Sequence, residues 1–130
     1  MSKWEELDLE RKLVGLLENV PEYEEGHHLR RPFMTAYQIA IEFAHSYPAD
    51  VDALDLPVGG AGTGRYNSLA QYFANQLSKQ IKAGNSQFEG GFLSNRNLKD
   101  MVFDNDGMEV RSSRSGAPLI TSIFRASSPQ

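Results

Sequence analysis

Four glycines fall within six residues, at Gly59, Gly60, Gly62 and Gly64, immediately before a long amphipathic segment. Glycine lets the backbone adopt positive φ and come close to a ligand. The first turn of the helix that follows offers free amides and the positive end of a dipole, which together attract anions. Gly62, Thr63, Gly64, Arg65, Asn67 and Ser68 are therefore an expected anion contact, with a tight connector as the alternative. Nucleotide hydrolysis is not the expected chemistry. Gly59 and Gly64 have the spacing of a phosphate-binding P-loop, but Arg65 and Tyr66 stand where Lys and Ser/Thr are required. Pro57 also interrupts the segment that would have to be the preceding strand. Gly60-x-Gly62-x-Gly64 departs from the dinucleotide pattern as well.

The segment after the loop carries a second kind of chemistry. Gln71, Asn75, Gln76, Lys79, Gln80 and Lys82 put amides and positive charge on one side of a helix, and no acid occurs between Asp55 and Glu89. Asn and Gln side chains match adenine edges in a DNA major groove, and Lys meets phosphates. Gln71, Asn75, Lys79 and Lys82 are accordingly the expected nucleic-acid contacts, joined by Arg111 and Arg114, with Arg125, from a basic C-terminal hairpin. A solvated helix rich in amides is the plainer alternative.

Metal and catalytic signals are thin. His27 and His28 lie near Glu24 and Glu25, but adjacent histidines point apart in a regular element and no partner follows at ligand spacing. Asp104-x-Asp106-Gly107 has part of a calcium loop and lacks its first and last ligands, so it reads as a turn. No Gly-x-Ser-x-Gly elbow or His-Glu-x-x-His motif occurs. An enzyme would have to draw on Arg65, Asp104, Asp106 and His28. The expectation is no catalytic residue, no metal and no cofactor.

The elements that must position these residues follow from hydrophobic period and caps. A first helix is expected over 3–19, capped by Ser2 and buried through Leu9, Leu13, Leu16, Leu17 and Val20. A second runs from Thr35 to about Tyr47, apolar nearly all round and so central. Residues 50–57 have room for one helical turn. The third, capped by Asn67 or Ser68, reaches Ala83 and stops at Gly84, with Leu69, Ala70, Phe73, Leu77 and Ile81 inward. A strand is expected over 88–93, a short fourth helix over 95–102, and a hairpin pairing 108–113 with 118–125 around Arg114-Ser115-Gly116. The tail at 126–130 is expected to be flexible.

This gives an α+β fold in a single domain over 1–130: three main helices, a short fourth, and a C-terminal β-hairpin or small antiparallel sheet. The element order resembles that of a winged helix, which would make the third helix the groove reader and the hairpin the wing. With 130 residues and no cysteine, the chain needs neither disulfides nor a zinc site to build a core. No apolar stretch is long enough for a membrane span and no signal-peptide layout is present, so a cytoplasmic protein is expected. Charge is uneven: residues 1–60 carry 5 Lys/Arg against 12 Asp/Glu, and residues 61–130 carry 8 against 5. The leading expectation is a nucleic-acid binder. A homodimer or protein-interaction module, using Trp4, Tyr23 and Phe33, comes next, followed by a small-molecule or phosphate-binding enzyme.

Overall fold

The computed structural model describes residues 2–21, 26–59, 68–98, 101–111 and 121–127. The expected turn at 114–116 and the tail beyond Ser127 lie outside them. Among the described residues, five helices and two small antiparallel sheets form an α+β fold: α1 (Lys3–Glu6), α2 (Leu9–Glu18), β1 (Met34–Thr35), α3 (Ala36–Ser46), α4 (Pro48–Leu54), α5 (Leu69–Lys82), β2 (Phe88–Leu93), β3 (Val102–Asn105), β4 (Met108–Arg111) and β5 (Thr121–Ala126). The three-stranded sheet has the order β1-β5-β2, and β3 pairs with β4.

The expected first helix is two. Asp8 takes a left-handed conformation at φ 53° and separates α1 from α2, a state aspartate tolerates better than most residues. The break lets Trp4 and Leu7, which lie off the stripe of α2, reach the core half-buried. A single flipped residue leaves the apolar spacing on either side intact, so periodicity cannot reveal it.

The core forms where Leu9, Leu13 and Leu17 of α2, Ile39 and Phe43 of α3, and Leu69, Phe73 and Leu77 of α5 converge. Phe43 and Phe73 meet edge to face at 4.9 Å, joining the two longest helices. Thr35 starts α3 with a capping box: its hydroxyl accepts from the Gln38 amide, and the Gln38 side chain accepts from the Thr35 amide. A half-buried ion pair, Lys12 to Asp50 at 2.5 Å, holds α2 to α4. At the other end of α2, Arg31 donates to the carbonyls of Glu18 and Val20 and so caps the helix from a distance.

The C-terminal third departs from expectation in its pairing. Residues 108–111 pair with 102–105, not with the last strand, around a two-residue turn at Asp106 (φ 51°) and Gly107 (φ 86°). Both central residues at positive φ is the hairpin geometry that Asp-Gly favours. Strand β5 is instead the middle of the other sheet, pairing with β1 through Met34–Phe124 and with β2 through Phe88–Ala126 to Leu93–Thr121. No helix forms over 94–98: Ser94 accepts from the Arg96 amide and Leu98 bonds back to Asn95, a local turn, and Val102 already opens β3. Removing the ring of Phe73 should cost about 3–5 kcal/mol. Thr35→Ala should cost about 1 kcal/mol through the lost cap. Denaturant unfolding of the two variants would check that ranking.

Candidate functional site

Helix α5 supplies the candidate site. Ser68 caps it by accepting from the Gln71 amide at 3.1 Å, and Gly84, at φ 92°, follows its end. Lys79 and Lys82 fall in the last turn, where cations oppose the dipole. Leu69, Ala70, Phe73 and Leu77 are buried on one side. Gln71, Asn75, Ser78, Lys79 and Lys82 share the opposite side, within an arc of roughly 100° at the helical turn per residue. Asn75, Ser78, Lys79 and Lys82 are exposed, and Gln71 is half-buried. Gln71 donates to Asn75 at 3.1 Å, which orients both amides. Ser78 was absent from the expected set, although the same helical spacing places it on this stripe.

The N-terminus of α5 is spent internally. The amides of Leu69 and Ala70 donate to the carbonyls of Pro57 and Val58 at 2.7 and 3.0 Å, and the Gln71 amide is held by Ser68. Ser68 itself is buried. Gly59 sits at φ 132°, and a Cβ there would lie 3.0 Å from that of Ala70. At this end of the loop glycine serves close packing of chain on helix. Gly62, Thr63, Gly64, Arg65 and Asn67 lie outside the described residues, as does Arg114.

The expected cations that are described, Arg111 and Arg125, have partners of their own. Arg111, on β4, pairs with Glu109 at 3.1 Å. Its hairpin also carries Asp104 and Asp106, so the described part is acidic where a basic wing was expected. That hairpin leans on α3, with Phe103 stacked on Tyr37 at 5.4 Å and the Asn105 side chain 2.9 Å from His45 Nε2. Arg125, on the sheet face opposite Phe124, is largely enclosed and takes part in the sheet's own bonding, to Glu89 and to the carbonyls of Leu29 and Arg31. Lys79, Lys82 and Arg96, by contrast, have no ion-pair partner among the described residues.

Of the residues considered for metal or catalysis, Glu24, Glu25 and Arg65 lie outside the described residues, while His27, His28 and Asp104 have local roles. His27 and His28 stack at 4.2 Å, and His27 Nδ1 accepts from the Leu29 amide. Asp104 accepts from the Gly107 amide at 2.8 Å and closes the β3–β4 turn. Among the described residues no group of three or more His, Asp or Glu is placed to hold a metal. No helix among them is long and apolar enough to cross a membrane. Comparison with protein-family models, with curated proteins and with solved structures gives no match to this chain.

Burial pushes the Tyr72 phenol, beside the stripe on α5, above its ordinary value. The folded state thus keeps this proton longer than the unfolded chain does. The resulting stability is complete below the tyrosine range near about 10 and is lost as pH climbs through the raised value. Unfolding measured between neutral and strongly alkaline pH should show a steeper alkaline loss in the wild type than in Tyr72→Phe.

Proposed function

We propose that the chain is a cytoplasmic nucleic-acid-binding domain of winged-helix type that sets the outer face of α5 against a duplex. The observation that carries this reading is the strand order β1-β5-β2, with β1 lying between α2 and α3 in the chain. A helix, a short strand, two further helices, and then two strands that close on the first is the layout of a winged helix. In it α2, α3 and α5 take the helix positions, and the chain between β2 and β5 takes that of the wing. The usual short turn before the reading helix is here replaced by α4 and the segment that follows it.

The surface chemistry favours the same helix. Its stripe has two oriented amides toward the N-terminal half and, in the last turn, two lysines with no ion-pair partner among the described residues, with no carboxylate on the helix. Amides that can read base edges, followed by cations that neutralise phosphate, make a division of labour suited to a groove. The acidic β3–β4 hairpin confines the footprint to α5 and whatever flanks it, since Asp104, Asp106 and Glu109 would repel phosphate.

Fluorescence anisotropy with labelled duplex DNA across a salt series tests the proposal. Binding at low salt should weaken steeply as salt rises. The double variant Lys79→Gln, Lys82→Gln should flatten the log–log slope by about 2 while costing only about 0.3–1 kcal/mol of stability per lysine through the helix dipole. Asn75→Ala should cost about 1–3 kcal/mol on a preferred site and less on random duplex. No retention of DNA or RNA at low salt would remove the reading.

A further inference from the structure

Among the described residues, strand β2 has one open edge. It pairs only with β5 among the described residues, at the end of the order β1-β5-β2. The Ser127 amide donates to the Gln87 carbonyl, which fixes the alternation of an antiparallel ladder. Glu89, Gly91 and Leu93 turn their backbone groups toward β5, and Phe88, Gly90 and Phe92 present theirs at the open edge. Native edges are commonly blunted by a lysine, a proline or a bulge. Residues 90–93, Gly-Gly-Phe-Leu, have none of these, and their register with β5 is unbroken.

The same four residues are exposed, while Phe88 is buried. Phe92 is 67% exposed and Leu93 40%, large apolar side chains standing in water on a strand with a free edge. They lie on opposite faces of the sheet, as alternate residues must. Next to Leu93 on the outer face is Gly91, where an added Cβ would meet nothing within 4 Å. The edge therefore carries a knob and a notch two residues apart.

We infer that two copies of the chain associate through this edge, β2 against β2 in antiparallel register about a twofold axis at Phe92. In that register Phe92 stands opposite Phe92 of the second copy, and each Leu93 lies over the other copy's Gly91. Both exposed side chains are covered and both notches filled by one symmetric operation, which is what makes the second copy the fitting occupant. Charge does not oppose it. The one charged residue of β2, Glu89, lies outside the paired stretch and is already neutralised by Arg30 and Arg125. The product is a six-stranded sheet whose new outer edges are the two-residue β1 strands, too short to propagate pairing further. The association is independent of the nucleic-acid reading.

Sedimentation velocity of the full chain, without nucleic acid, gives the first test: a concentration-dependent dimer is expected, and a monomer throughout the micromolar range overturns the inference. Phe92→Lys and Gly91→Leu, which place like charges on the twofold axis and fill the notch, should each weaken dimerisation about tenfold or more. Unchanged circular dichroism melts would show that both variants fold. The register has its own test, because the chain contains no cysteine. Phe92→Cys should cross-link to a covalent dimer in good yield with a short bis-maleimide. A dimer that persists in Phe92→Lys, or that fails to cross-link through Phe92→Cys, would place the interface elsewhere.

Discussion

One guanidinium ties the sheet to the connector between α2 and β1. Arg125, in the middle strand, has a side chain only 15% exposed, and it bonds to Glu89 across the strand pair at 3.0 Å. It also donates to the carbonyls of Leu29 and Arg31 at 2.6 and 3.0 Å, and it lies over the ring of Phe33 at 4.2 Å. Taking so enclosed a charge out of water is costly, and only a full set of partners offsets the cost. Here the carboxylate and two carbonyls supply them. Through those carbonyls the sheet grips the connector that leads into β1, and Arg31 of that connector in turn caps α2. Strand, connector and helix end are held as one arrangement of charge and backbone dipoles.

That arrangement leaves α5 free to be a surface. The helix owes its position to Phe73 against Phe43 and to Gly90, where a Cβ would stand 2.9 Å from Ile81 Cδ1 and from the Phe124 ring. Nothing on its outer stripe is needed for packing. The amides and lysines there contribute little to packing, which is why the proposed contact is placed on them.

Much of this was legible in the residues. The second and third helices, their caps at Thr35 and Ser68, the stop at Gly84 and the strand at 88–93 follow from local patterns, because caps and apolar spacing act over a few residues. The sheet order was not legible in the same way. Residues 108–111 and 121–126 both read as strands, yet which strand each one pairs with depends on contacts distant in sequence. The Asp-Gly turn at 106–107 was the one local sign that 102–105, and not the last strand, would pair with 108–111. Within the site, composition alone pointed to Gln71, Asn75, Lys79 and Lys82. It could not show that the first amides of α5 are occupied by Pro57 and Val58, or that Arg125 is enclosed by Glu89 and the 29–31 connector, since both depend on how distant segments dock.

The central place of β5 has a consequence for how the chain is made. Strands β1 and β2 do not touch each other; each is completed only by Thr121–Ala126 lying between them. On the ribosome, the helices can gather around Phe43 and Phe73 as soon as α5 has emerged. The sheet has to wait until residue 126 clears the exit tunnel. For the time needed to synthesise some forty residues beyond Phe88, the nascent chain carries two strands with no partner and a glutamate at 89 still lacking Arg125.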